Sequence, residues 1–323
     1  MPSIQTIIFV SQENSLAEQE LFSWTLQLAK QHQAHLKVLR VLPEISSGLA
    51  AWLNNDEPTA LMEHQKQIQL VQLKPLQQQA QEATVKFSVE VVFGKFFYQI
   101  IQQVLKIHAD LLIKLVDNSS ERSDRPLFDS HDMHLLRKCP CTLLLHNPQI
   151  ELPFVKMIAS IDIDSENEQP LEEDRLNTRI MDWAVKLHQL QSAPLEVVHA
   201  WQSEGENLIY YWNTEWTEKD LFLFNEREQQ FHQNALEKEV QAYRLSGLAL
   251  QTYLPKGKPE IAIAQLLKNH GNDLLIMGTI ARTGLSGMII GNTAEDIIEQ
   301  IDCSVLAVKP KGFESPVKLD RSF

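Results

Sequence analysis

The sequence predicts an α/β protein built from two tandem flavodoxin-like, doubly wound domains, each with a five-stranded parallel sheet. Two observations carry that prediction. First, a set of landmarks recurs in one order at nearly constant spacing. Trp24-Thr-Leu-Gln-Leu28 returns 159 residues later as Trp183-Ala-Val-Lys-Leu187, and Ala34, Leu36 and Val38 return as Ala193, Leu195 and Val197. Asp110-Leu-Leu-Ile113 and Gly94-Lys95 return 163 residues later as Asp273-Leu-Leu-Ile276 and Gly257-Lys258, and Cys139 and Cys303 lie 164 apart. Such a series means two copies of one unit. Second, each copy alternates short β-branched runs with longer segments whose apolar residues recur at helical spacing. That alternation implies a parallel sheet covered by helices on both faces.

The elements follow in order. In the first copy, strands are predicted at Ile7–Val10, Leu36–Leu42, Lys86–Val92, Leu111–Lys114 and Thr142–Leu145. Helices are predicted at Leu16–His32, Ala60–Ala83, Phe97–Ile107 and His131–Lys138. In the second copy, Lys156–Asp162 is a short run that fits a buried strand. Ile180, Trp183, Ala184 and Leu187 then form one apolar helical stripe. Leu195–Ala200 is a strand, and Leu223–Ser246 is a long polar helix buried by one face. Leu248–Leu254 is the third strand, ending at Pro255-Lys-Gly257. Ile263, Leu266 and Leu267 mark a helix, Asp273–Met277 a strand, Ala294, Ile297, Ile298 and Ile301 the last helix, and Ser304–Val308 the last strand. The polar stretch Asn147–Pro153 separates the copies, giving domains 1–150 and 151–323 within a chain of 323 residues.

Composition excludes several functions. The formal net charge is −13, and the second copy carries most of it, with 16 Lys+Arg against 27 Asp+Glu after residue 150. A general nucleic-acid binder needs a basic surface instead. No apolar run approaches the roughly 18 residues of a membrane span, and no secretory signal is visible at Met1-Pro-Ser-Ile4. Three cysteines are too few for a disulfide framework, so a reducing cytoplasm is expected.

In doubly wound sheets, ligands sit past the carboxyl ends of the strands at the switch point. There the glycine distribution stands out. Residues 1–150 hold only Gly48 and Gly94, whereas Gly278, Gly284, Gly287 and Gly291 crowd one stretch of the second copy. A glycine-rich loop entering a helix presents backbone N–H groups suited to phosphate. Arg282 would add charge, and Thr279 and Thr293 hydroxyls. The competing reading is that these glycines serve turn geometry, with Asn292 capping the last helix and Glu295 completing a capping box.

This loop, with Asn272-Asp-Leu-Leu-Ile-Met-Gly278 before it and Cys303-Ser-Val-Leu-Ala-Val-Lys-Pro310 after it, resembles the C-terminal half of a universal stress protein domain. The family's nucleotide signature is G-x-x-G-x9-G-(S/T). Gly278 and Gly291 match its outer glycines, while Ala281 replaces the middle glycine and Asn292 the Ser or Thr. The tandem layout and Asp132-Met-His-Leu-Leu-Arg-Lys-Cys-Pro140 are similar to the E-type tandem proteins of Gram-negative bacteria. The resemblance implies an adenine nucleotide alpha hydrolase-like fold. It also implies a strand-end carboxylate at Asp162 and a second-strand contact at Val198 or His199, holding adenine and ribose. Asp162 has the alternative of capping a loop. In the first copy, Leu115 stands opposite Gly278 and Ser11 in the place of Asp162, and Asp117–Ser130 lacks glycine, so no nucleotide is expected to bind through that loop.

The expected ligand site is therefore Asp162, Val198, Gly278, Thr279, Ala281, Arg282, Gly291, Asn292 and Thr293. The ligand class is ATP or another phosphorylated metabolite, an amphipathic one included, and the role is stress-response binding and regulation. A ligand-free adaptor acting through protein contacts is the alternative. A slow ATP hydrolase ranks last, because no general base or metal site is evident. His131, His134, Cys139, Cys141 and His146 fit no standard zinc spacing, and no metal is expected. Trp52, Trp201, Tyr210, Tyr211, Trp212 and Trp216 follow the second strands and would line a pocket or cover the sheet. The resemblance also implies that Thr142–Leu145 and Val305–Val308 pair within the chain as a pseudo-dimer. Association into a further homodimer stays open.

Overall fold

The computed structural model describes residues 3–13, 15–45, 57–117, 127–163, 175–203, 217–280 and 291–320. In the first half, strands β1 (Thr6–Val10), β2 (His35–Leu42), β3 (Phe87–Phe93), β4 (Leu111–Leu115) and β5 (Thr142–His146) alternate with helices. These are α1 (Leu16–His32), α2 (Glu57–Gln72), α3 (Lys74–Glu82), α4 (Phe96–Ile107) and α5 (Ser130–Lys138). The second half repeats the plan with β6 (Met157–Ser160), α6 (Leu176–Gln191), β7 (Leu195–Val198), α7 (Glu218–Leu245) and β8 (Leu250–Tyr253). It ends with α8 (Pro259–His270), β9 (Leu274–Gly278), α9 (Asn292–Ile298) and β10 (Ser304–Val308).

The ten strands of the described residues form one sheet in the order β3-β2-β1-β4-β5-β10-β9-β6-β7-β8. Each half is parallel throughout. The halves meet through an antiparallel ladder in which Leu144 faces Leu306, which is the intrachain pseudo-dimer. Strand residues alternate between two cores. Phe9, Ile113, Leu144, Ile276 and Leu306 join α1, α3, α6 and α7 on one face. Ile8, Leu112, Leu143, Leu275 and Val305 join α4, α5, α8 and α9 on the other. Period-2 side chains buried on both faces give the near-continuous apolar runs seen in the sequence. Trp24 and Trp183 are buried on matching helices. Trp24 also crosses the pseudo-dimer, packing edge-on against Phe154 and donating its indole N–H to Gln191 Oε1 at 3.0 Å.

The structure corrects four of these readings. The predicted helix Ala60–Ala83 is two helices, because Pro75 lacks an N–H and needs a new first turn; it occupies the first positions of α3. Repeat equivalence follows from partners of the repeated Asp-Leu-Leu-Ile strands: Ile7 pairs Leu111 as Met157 pairs Leu274. That register places Gln12, not Ser11, opposite Asp162. Ser11 N donates to Leu39 O as Ile161 N donates to Val198 O. Likewise Thr142 pairs Leu111 as Ser304 pairs Leu274, so Cys141, not Cys139, is the counterpart of Cys303. Finally, Gly291 is the N-cap of α9 and Asn292 its first helical residue, without a side-chain cap bond. Glu295 pairs instead with Arg137 of α5.

Candidate functional site

A cleft of about 370 Å³ opens at the carboxyl ends of β6 and β9, the switch point of the second half. Its volume is in the range of small-molecule sites. Ile161, Leu176, Ile180, Ala200, Pro259, Ile263, Met277, Ala294 and Ile297 make its walls mainly apolar, and Asp162, Asn177, Thr279, Gly291 and Thr293 supply polar groups.

The helix behind the cleft fixes its rim. Asn177, in the first turn of α6, accepts from Asp162 N at 3.2 Å and donates to Asp162 O at 2.7 Å. The backbone of Asp162 is thus held while its side chain stays exposed at the mouth. Glu18, the residue 159 positions earlier, makes the matching brace in the first half. Its carboxylate accepts from Gln12 N, Glu13 N and the Ser11 hydroxyl. Gly278 ends β9, and a Cβ there would come within 2.5 Å of Leu176 Cδ2. Close approach of α6 therefore explains this glycine. The ends of the glycine-rich segment are tied together, since Gly291 N donates to Thr279 O at 3.1 Å.

Thr279 is fully buried, and its Oγ1 accepts from Lys309 Nζ at 2.8 Å. The same ammonium donates to Leu136 O in the first half. Burial depresses Lys309 to about 8, partly opposed by the neighbouring Cys139 and Cys141. Beyond it, the C-terminal segment straps the first half. Ser315 Oγ donates to Lys138 O at 2.7 Å and Tyr98 OH to Asp320 Oδ1 at 2.7 Å.

Of the sequence-predicted residues, Asp162, Gly278, Thr279, Gly291 and Thr293 line the cleft. Val198 does not: it is the last paired residue of β7, wholly buried in the core, and Ala200 lines the cleft in its stead. His199 faces elsewhere, bonded to His232 Nδ1 at 3.0 Å. Asn292 is exposed outside the lining. Ala281, Arg282, Gly284 and Gly287 lie outside the described residues, as do Trp52, Tyr210, Tyr211, Trp212 and Trp216. Sequence reasoning missed Asn177, Pro259 and Ala294. Asn177 was findable as the repeat partner of Glu18, and Pro259 as the residue after the repeated Gly-Lys.

At the corresponding place, the described residues of the first half set larger and charged side chains. Lys114 stands at the position of Met277, Leu115 at that of Gly278 and Phe96 at that of Pro259. The N-caps Asp129 and Gly291 correspond, which puts Asp132 at the position of Ala294. Lys114 Nζ and Asp132 Oδ1 form a 2.9 Å ion pair with both side chains buried, and the Lys114 ammonium lies 5.8 Å from the Phe96 ring centre. Behind it, Arg40 Nη2 donates to Ser11 Oγ at 2.7 Å and Nη1 to Gln69 Oε1 at 2.7 Å.

The histidines among the metal candidates are engaged elsewhere. His146 Nδ1 contacts Ser304 Oγ at 3.0 Å, and His134 stacks on Phe97 with ring centres 4.2 Å apart. Among the described residues, no group of three or more His, Cys, Asp or Glu is arranged to hold a metal. Nor is any helix among them long and apolar enough to cross a membrane.

Comparison with known proteins gives consistent results. The model of the universal stress protein family matches residues 4–146 and 170–309. The chain is 27% identical to universal stress protein E of Salmonella typhi over 288 residues, 88% of each chain. It is 24% identical to universal stress protein E of Photorhabdus laumondii, over 98% of this chain and 99% of the relative. Among solved structures, a protein of unknown function from Pseudomonas aeruginosa PAO1 aligns with a TM-score of 0.67 at 22% identity, covering 95% of this chain and 93% of the other. A universal stress protein from Archaeoglobus fulgidus aligns with a TM-score of 0.62 at 14% identity, covering 94% and 98%.

Proposed function

The chain belongs to the universal stress protein family, and we propose that it is a cytoplasmic stress-response binding protein whose second unit takes a nucleotide or other phosphorylated metabolite. The units divide at residues 150 and 151. The first is structural, and the second carries the site. One observation supports this reading above the rest. The two halves share a sheet and a helix plan, yet the switch point is an open cleft of about 370 Å³ in one half and a buried ion pair in the other. The apolar walls suit a flat ring, and Asp162 at the mouth suits ribose hydroxyls. Gly291 and Thr293 border the end from which a phosphate would be reached. The role is binding and regulatory rather than catalytic.

A second reading is favoured by Gly278, whose missing Cβ serves the packing of Leu176. On that reading the cleft is a by-product of folding and the protein is an adaptor. Mass spectrometry of ligand released from natively purified protein, followed by calorimetric titration with ATP and AMP, separates the two. Gly291→Asp is the decisive variant. Its backbone, at φ −62° and ψ 138°, is the N-cap conformation that Asp favours, so the fold should survive. A carboxylate about 5 Å from a phosphate costs binding about 3 kcal/mol, on the order of 100-fold. Nucleotide binding that is absent in the native protein, or unchanged in this variant, would favour the adaptor.

A further inference from the structure

Two thiols lie outside the proposed ligand site. Cys139 follows the last turn of α5 in an extended conformation, at φ −69° and ψ 128°. Cys141 immediately precedes β5, and Pro140 occupies the bend between them. The two sulfurs are 3.5 Å apart, in hydrogen-bond contact, and both are buried. The ladder register gives this pair its meaning. Cys141 corresponds to Cys303, each one residue ahead of its strand, whereas the position of Cys139 is held by Ile301 in the second half. One thiol is shared by both copies; the other is an addition that creates a facing pair in the first copy alone. Buried Lys309 acts electrostatically on both sulfurs. Burial opposes ionisation of Cys139, but the hydrogen bond from Cys141 and the Lys309 ammonium together bring its thiol below the ordinary value. Cys303, lacking such a partner, is pushed up to about 12 by burial.

We propose that Cys139 and Cys141 form a reversible dithiol–disulfide couple oxidised by hydrogen peroxide. The Cys139 thiolate attacks one peroxide oxygen. The O–O bond breaks, the departing hydroxide takes up the proton that Cys139 released, and Cys139 becomes a sulfenic acid. The Cys141 sulfur then attacks that sulfur, and the hydroxyl group leaves as a second water with the Cys141 proton. Two thiols and one peroxide give one disulfide and two waters, with two electrons passing from sulfur to oxygen. The sulfurs must close by about 1.5 Å to bond. The ring spans a single intervening residue, and tight rings of this kind are readily reduced.

The test uses the full chain, reduced, exposed to hydrogen peroxide, then alkylated in denaturant and digested with trypsin. Cys139 and Cys141 share one tryptic peptide, Cys139–Lys156, which excludes Cys303. The expected product is that peptide lighter by two hydrogens and resistant to alkylation, with dithiothreitol restoring both thiols and Cys303 still alkylated. In Cys141→Ser, matched to wild type by circular dichroism, Cys139 should stop at a sulfenic acid captured by dimedone. An unmodified peptide, or one carrying sulfinic or sulfonic acid in place of the disulfide, would overturn the proposal. The wild-type peptide decides the question even where the variant folds poorly.

Discussion

Removing one partner of the Lys114–Asp132 pair should harm the protein far more than removing both. The two side chains are buried, at 1% and 0% exposure, and 2.9 Å apart. Asp132→Ala strands an ammonium in the core, and breaking a buried pair in this way costs about 3–5 kcal/mol. It also removes the Asp132 carboxylate that accepts from Asp129 N in the capping box of α5, which adds about 1 kcal/mol. Lys114→Met is milder, because its orphan can neutralise itself. Burial outweighs the pull of Lys114 and already raises Asp132 to about 6. At pH 7 this variant should lose roughly 1–3 kcal/mol, and less at pH 5, where the carboxyl is protonated. The double variant installs the residues that the second half holds at these positions, Met277 and Ala294. Replacing a buried pair by apolar residues is often neutral or stabilising, so its stability should fall within about 1 kcal/mol of wild type or above it. Urea unfolding followed by circular dichroism at pH 7 and pH 5 measures all four proteins. A double variant whose loss equals the sum of the two single losses would refute the reasoning, since independent sites add and coupled ones do not.

Other outcomes follow from the same geometry. Burial depresses His146 to about 4, so between pH 6.5 and 4 the unfolded chain binds a proton that the folded one refuses. Stability from this residue is therefore lost as pH falls through that window, by about 3 kcal/mol at most. Asp132 acts in the opposite sense, because from about pH 6 down to 3.8 the folded protein binds the extra proton and stability rises as pH falls. His146→Gln removes the first of these contributions, so its urea midpoint should fall less than that of wild type between pH 7 and pH 4. At Gly278, the added methyl of Gly278→Ala meets the flexible end of Leu176. The variant should lose about 1–2 kcal/mol to overpacking, and Leu176→Ala in the same chain should restore part of that in thermal unfolding.

The fold was legible because both copies bury their strands on two faces, and fully buried strands write themselves as apolar runs. The tandem repeat could be stated from its recurring landmarks, and the β5–β10 pairing followed from the family resemblance. What escaped depended on register. Insertions fall in the connections, so the offset between copies drifts from 150 at the first strands to 163 at the fourth, and a match of isolated residues tolerates an error of one or two. Cys139 against Cys303 was such an error, and so was Ser11 against Asp162; only the hydrogen-bonded ladder fixes them. At the site, Asp162, Gly278 and Gly291 could be found because they sit at strand and helix ends. Val198 was misplaced along the strand rather than across it: it shares a face with Ala200, but it is still paired within β7, and the cleft begins two residues on, past the strand's end. Asn177 carries no chemical signature by itself; its meaning lies in bracing the backbone of Asp162.

The comparison between halves also narrows what the glycines mean. Gly278 is explained by Leu176 and needs no ligand to account for it, whereas the cap of α9, at φ −62°, does not itself require a glycine at 291. The stronger sign is that replacements between the halves cluster. Lys114 for Met277, Leu115 for Gly278, Phe96 for Pro259 and Asp132 for Ala294 all fall at one end of the sheet, while the apolar residues of the paired strands recur. Folding alone asks the same of both copies, and each copy satisfies it. A buried ion pair is also an unlikely choice for stability, since apolar residues of similar volume do as well or better. Its presence in the first half, at the place where the second half is open, sets the two ends under different demands. Filling in one copy and a walled opening in the other is what a chain with a single ligand site requires, and the Gly291→Asp titration tests that requirement without disturbing the shared fold.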